Sequence, residues 1–348
     1  MTISGRHRSG ARRWLPTLLP SLMLVGLCAC RSGVPGPERT RVRISVPSDP
    51  ITYLPIYLAR ELGYYQDEGV DAIIDAFPGG SKGLQALLGG SVDVAASFFE
   101  NTIALAAEGR HVKSFLTLLD RPGFVLAVSP ASSRGIKRIE DLKGSVIGVT
   151  TPGSGSQHFV NYLLIRHKMQ LKDVSITGIG LGSSSVAAIE RGHIDAGILA
   201  GSAITVVQHH FPKLVVLADT RTSEGVKEVF GTDVYPAHDL LASAEWLRNN
   251  PAAARKLTHA VMRAMQWMRE HSPEEMRAHM PAQYRAPDAE ADLEALRATI
   301  PMLSRDGTVS RAGAEAVKRV LAVSFESVRS SPIDIAQLYT NEFADLRR

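Results

Sequence analysis

The stretch Gly80 to Ala95, "GSKGLQALLGGSVDVA", recurs 102 residues later as "GSSSVAAIERGHIDAG" from Gly182 to Gly197. The two copies match Gly80 with Gly182, Ser81 with Ser183, Ala86 with Ala188, Gly90 with Gly192 and Asp93 with Asp195. Each copy reads as a Gly-Ser helix start, an apolar helix, a glycine stop and a strand that opens on aspartate. A helix and strand of this kind bury their apolar faces only within a layered sheet, so the repeat predicts two α/β lobes of one design.

The residues around each copy keep the same alternation. Strands are expected at 42–46, 70–77, 92–97 and 112–119, and helices at 54–65, 81–90 and 101–109. A second series has strands at 145–150, 174–179, 194–200 and 213–218, and helices at 155–168, 184–192 and 202–210. Short apolar strands separated by amphipathic helices imply mostly parallel sheets covered on both faces. One further strand is expected at 238–243, and the remainder to Arg348 reads mainly as helix. There Leu257, Val261, Ala264 and Met268 recur at spacings of four, three and four, one helix face, with the methionines as core filler. The starts at Gly80-Ser81, at "TPGSGSQ" (151–157) and at Gly182-Ser183 each follow a strand. Facing lobes would turn these helix N-termini toward one cleft, offering unpaired N–H groups and a positive dipole end to an acceptor or anion.

The N-terminus places Arg6, Arg8, Arg12 and Arg13 before an apolar run of 14 residues, Trp14 to Leu27, interrupted by Pro16 and Pro20. A membrane-spanning helix needs about 20 apolar residues, so residues 1–29 read as an export signal. Leu27, Ala29 and Cys30 resemble a bacterial lipobox, which implies a lipid on Cys30. The polar, Pro- and Gly-rich residues 30–40 read as a tether. The Arg12-Arg13 pair leaves the general and twin-arginine export routes both open. The whole net charge of +4 belongs to this signal, because it holds four of the 39 basic residues and no acid, leaving 35 basic against 35 acidic ones. A neutral folded part argues against nucleic-acid binding. No cysteine follows Cys30, which excludes an internal disulfide, a thiolate nucleophile and a Cys-ligated zinc site in the folded part.

On "YLPIYLARELGYYQDEGVDAIIDAFPGGSKGLQALLGGSVDVA" (53–95), "IEDLKGSVIGVTTPGSGSQHFVNYLL" (139–164) and "AAIERGHIDAGIL" (187–199), the chain resembles the nitrate/sulfonate/taurine-type solute-binding proteins of ABC importers, a group that also serves pyrimidine precursors. The resemblance implies the type II periplasmic-binding-protein fold, an α/β architecture of two lobes, each a mostly parallel sheet flanked by helices, with the ligand cleft between them. It divides the chain into lobe 1 at 41–128, lobe 2 at 129–235 and the rest of lobe 1, mainly helical, at 236–348, with crossovers near 125–130 and 234–241. The ligand positions it implies in lobe 1 are Ser48, Asp49 and Tyr53, then Gly80 and Ser81, then Phe98, Glu100 and Asn101. In lobe 2 they are Gly153, Ser154, Gly155 and Ser156, then Gly182, Ser183 and Ser184, then Gly201 and Ser202. Lys82 and Glu100 are expected either to contact a ligand charge or, as such side chains more often do, to stand solvated.

The function so implied is an extracytoplasmic, membrane-anchored lipoprotein, a monomer that binds a small solute and hands it to a permease. It requires no metal, cofactor or catalytic residue. Two alternatives belong to other classes. One is an enzyme, since the fold resembles thiamine-pyrimidine synthases, menaquinone-pathway lyases and porphobilinogen deaminase. However, the chain has no HExxH pair and no cysteine beyond the signal region. His209-His210 points two ways from one helix and reads as surface. The other alternative is a receptor presenting its ligand to a membrane sensor.

Overall fold

The structure, a computed structural model, describes residues 39–48 and 51–344. The export signal, Cys30, most of the tether and Asp49 lie outside them.

Ten strands form two five-stranded sheets. In chain order they are β1 (Thr40–Pro47), β2 (Val70–Phe77), β3 (Val94–Phe98), β4 (Val112–Leu119), β5 (Val125–Val128), β6 (Val146–Val149), β7 (Ser175–Gly178), β8 (Ala196–Leu199), β9 (Val216–Asp219) and β10 (His238–Ser243). Thr40, expected in the tether, already pairs with Val70. The sheet orders are β2-β1-β3-β10-β4 and β7-β6-β8-β5-β9. In the first, β1 runs parallel to β2 and β3 while β10 is antiparallel to β3 and β4. In the second, β6 runs parallel to β7 and β8 while β5 is antiparallel to β8 and β9. The two lobes therefore share one topology.

The repeat has a physical counterpart in the strand register. Ile44 pairs with Ile74 and Val94, and Ile147 pairs with Ile176 and Ala196, both partners 102 positions on. The repeated aspartates fix this register from the strand end. Asp93 Oδ2 accepts from the Arg43 amide at 2.8 Å, and Asp195 Oδ2 accepts from the Val146 amide at 2.9 Å. Asp195 also accepts from Ser132 Oγ at 2.8 Å. Gly148 and Gly197, paired across β6 and β8, leave space that Ile179 and Ile194 fill; a Cβ at either would meet an isoleucine methyl at 2.7 Å or less.

Helix Pro251–Glu270 lays Leu257, Val261, Ala264 and Met268 into the core of the first lobe, all fully buried, as their spacing predicts. Three expectations need correction. Val125–Val128 is a strand of the second sheet, so the first crossover occupies residues 120–124 and not 125–130. The return crossover ends at residue 237, because His238 to Leu241 already pair with β3. The C-terminal helices are not confined to the first lobe, since Ala314, Val317 and Leu321 of helix Arg311–Ser324 share a core with Val160 and Leu163 of helix Gly155–Arg166. Helix Ser223–Phe230, unread in the sequence, precedes the return.

The aspartate anchors are unequal, which makes them a test of this account. Asp195→Ala removes hydrogen bonds to an amide and a hydroxyl, and Asp93→Ala the bond to one amide. The expected losses in urea unfolding are about 2 and about 1 kcal/mol respectively. Equal losses from the two substitutions would show that the Ser132 contact adds nothing.

Candidate functional site

The carboxyl ends of β1, β3 and β6 and both crossovers meet between the lobes. They enclose a cavity of about 30 Å3, room for about two waters. Its polar wall is made of hydroxyls and one amide. Thr150 Oγ1 lies 2.9 Å from both Ser154 Oγ and Ser156 Oγ, which are 2.8 Å from each other. The Thr150 amide donates to Ser156 Oγ at 2.9 Å, and Asn101 Nδ2 donates to Ser97 Oγ at 2.9 Å. Ser154 is the N-cap of helix Gly155–Arg166, yet its side chain makes no cap hydrogen bond, so that helix start keeps unpaired amides beside the cavity.

The apolar wall is aromatic. Phe98 stacks on Phe124 at 5.0 Å between centroids, and the His238 ring sits 4.4 Å from Phe98 and 5.0 Å from Tyr53. His238 Nε2–H donates to the Pro122 carbonyl at 2.9 Å. Burial pulls its pKa down to about 4, so the imidazole is neutral at neutral pH.

A second, outer hollow of about 610 Å3 adjoins the first at Leu181. Ser48 and Tyr284 border it from one lobe, and Gly182, Ser183, Arg191 and Ser202 from the other. Gly182 and Gly201 cap their helices at φ 60° and 55°, in the region that favours glycine.

The expected ligand positions thus separate. Tyr53, Gly80, Phe98, Asn101, Ser154, Gly155 and Ser156 border the inner cavity. Ser48, Gly182, Ser183 and Ser202 border the outer hollow. The rest are placed elsewhere. Ser81 Oγ crosses to the other lobe, 2.7 Å from Thr151 Oγ1. Glu100 is buried, paired with His158 Nδ1 at 2.9 Å and accepting from Tyr235 Oη at 3.3 Å, so both carboxylate oxygens are engaged by protein. The Gly153 amide donates to Gln157 Oε1, and Ser184 Oγ donates to the Leu181 carbonyl. Gly201 borders a separate crevice with Thr205 and Thr299. Lys82 is exposed and reaches Gln85. Sequence reading missed Thr52, Ser97, Phe124, Thr150 and His238 as cavity residues. Phe124 and His238 flank the crossovers, and a correct placement of those crossovers would have found them.

His209, read as surface, ties the lobes at the cleft mouth. Its ring nitrogens lie 3.0 Å from Asp288 and 3.3 Å from Glu294. Gly155 marks another close approach, where a Cβ would meet Glu100 Oε1 and Phe98 at 2.8 Å. These contacts describe a closed pair of lobes. Among the described residues no group of three or more His, Cys, Asp or Glu is placed to hold a metal ion, and no helix is long and apolar enough to cross a membrane.

Comparison with known proteins adds to this geometry. A family model described as NMT1/THI5 like matches residues 51–276. A solved protein from Bordetella bronchiseptica RB50 is 35% identical, with a TM-score of 0.84 over 88% of this chain and 96% of its own. The periplasmic aliphatic sulphonate binding protein SsuA from Escherichia coli shares the fold at 19% identity, with a TM-score of 0.63 over 86% of this chain and 97% of its own. The 4-amino-5-hydroxymethyl-2-methylpyrimidine phosphate synthase of Schizosaccharomyces pombe is 33% identical over 148 residues, 42% of this chain and 40% of that enzyme.

The His209 contact predicts a pH dependence of this closed arrangement. Its hydrogen bond to Asp288, with a second to Glu294, raises its pKa above the ordinary 6.5. The attraction is therefore complete below 6.5 and fades as pH rises through the raised value. Small-angle scattering of the ligand-free protein should give a smaller radius of gyration at about pH 5.5 than at about pH 8.5. His209→Gln should remove the difference; a difference that survives it would assign the effect to another group.

Proposed function

The chain belongs to the NMT1/THI5-like family, and we propose that it is the extracytoplasmic solute-binding component of an ABC importer, closing two lobes on a small anionic solute of the sulphonate kind and passing it to the permease. One observation carries the reading: two sheets of the same order meet at a cavity whose wall draws residues from both lobes, with Phe124 of the first crossover and His238 where the second one ends. A solute held by this wall, which the closed lobes narrow to about 30 Å3, would touch both lobes where they must part to admit it. The hydroxyls of Thr150, Ser154 and Ser156 and the adjoining helix start favour an acceptor-rich ligand, because each donor lies where the helix dipole is positive. The likeness to a sulphonate-binding protein agrees with that chemistry.

The likeness to the fission-yeast synthase supports a second reading, a pyrimidine-precursor site, with or without chemistry on it. Solute recovery separates binding from chemistry. Ethanesulfonate, 2-aminoethanesulfonate or nitrate, at a hundredfold excess over its dissociation constant, should stabilise the fold by about 2.7 kcal/mol in thermal unfolding. It should be recovered unchanged, and a chemically altered solute would establish an enzyme.

Ser183, which borders the outer hollow and not the inner cavity, tests whether the anion reaches that hollow. It is exposed at the first turn of helix Ser183–Glu190, where aspartate is favourable by about 0.3–1 kcal/mol. Ser183→Asp should leave the melting temperature of the empty protein unchanged. A carboxylate about 4 Å from an anion in water costs about 1 kcal/mol, so ethanesulfonate affinity should fall roughly fivefold or more by calorimetry. Unchanged or tighter binding by the folded variant would remove Ser183 from the anion's surroundings.

Export and anchoring rest on the N-terminal sequence alone. Wild-type protein should pellet with membranes through a salt wash, as expected for a multiply acylated N-terminus. Cys30→Ala should yield a soluble product or an uncleaved precursor. Wild-type protein found wholly in the soluble fraction would exclude the lipid anchor.

A further inference from the structure

His238 opens β10, the strand by which the chain re-enters the first lobe, and its ring borders the inner cavity at 2% exposure. The bond from Nε2–H to the Pro122 carbonyl assigns the proton to Nε2. That leaves Nδ1 as a lone-pair acceptor, and it has no hydrogen-bond partner among the described residues. Protonating Nδ1 would require acid near the ring's lowered pKa of about 4. An unpaired buried acceptor is costly, and the polar atoms of native interiors are nearly always satisfied by protein, water or ligand.

We infer that His238 Nδ1 is a specificity-determining acceptor, and that the solute carries an N–H or O–H donor group separate from its anionic end. This inference rests on the solute-binding reading above. A bare oxyanion set against Nδ1 would bring lone pair to lone pair. An amino group there would instead make a charge-assisted hydrogen bond to Nδ1. The hydroxyl wall of Thr150, Ser154 and Ser156 borders the same cavity and is left for the acceptor end.

The test compares 2-aminoethanesulfonate with ethanesulfonate, which lacks the donor, by calorimetry on the full-length protein. The wild type should prefer the amino compound by roughly tenfold or more, the usual penalty for leaving a buried acceptor unpaired. His238→Phe keeps an aromatic ring and removes the acceptor, and should bring the ratio close to one. His238→Asn, which sets an amide oxygen near the Nδ1 position, should restore part of the preference. Equal binding of the two probes to the wild type, or an unchanged ratio in a folded His238→Phe variant, overturns the inference and leaves the solute-binding reading intact. Failure of both probes to bind the wild type overturns the sulphonate reading and the inference with it. If neither variant folds, 15N spectra of histidine-labelled wild type decide. The Nδ1 resonance of His238 should move on adding 2-aminoethanesulfonate and not ethanesulfonate; an identical response to both rejects the assignment.

Discussion

Each sheet is completed by a strand that has just arrived from the other lobe. β5 enters the second sheet directly after the first crossover and lies between β8 and β9, antiparallel to both. β10 makes the reciprocal insertion between β3 and β4. Such a strand is held by ladders on both sides, so neither lobe can be completed without the other's chain. The crossovers are therefore rooted in the two sheet interiors. A bend between the lobes has to occur in the few residues from 120 to 124 and just before His238. The cavity lies against those roots, with Phe124 and His238 in its wall.

This placement bears on why the inner cavity is lined by neutral, hydroxyl-bearing side chains. Glu100, the buried first residue of the helix after β3, is engaged across the lobes by His158 and by Tyr235 of the return crossover. Burying a carboxyl group costs desolvation that is offset only when its hydrogen bonds are good. With both oxygens engaged, the pair serves the closed arrangement and leaves a solute to meet Ser, Thr and Asn side chains and backbone amides. Recognition by fixed dipoles selects on hydrogen-bond geometry more than on net charge, which suits small solutes that differ in a single donor or acceptor.

The elements were legible because they are encoded locally. The span of β2 agrees with the expected 70–77 at both ends, and the helix face at Leu257, Val261, Ala264 and Met268 is buried as its spacing requires. The 102-residue repeat carried the equivalence of the lobes, since the same glycine stop and aspartate anchor must serve the same strand junction twice. β5 escaped notice because "FVLAV" is a short apolar run between turns with no following helix, a pattern that a linker and a buried strand share. The helix starts were readable as helix starts, but not as neighbours of one cavity rather than another.

The alternation of strand and helix, the doubling of the lobe and the kind of polar group at each strand end were thus readable along the chain. Those are properties of stretches of ten to twenty residues, where periodicity and capping chemistry act. Only the tertiary structure decided which hydroxyls face the cavity, that Ser81 meets Thr151, that Glu100 meets His158 and Tyr235, and that His238 keeps one nitrogen unpaired. These contacts join residues 58 to 135 positions apart. Their geometry follows from how two finished lobes pack, and no local pattern carries that information.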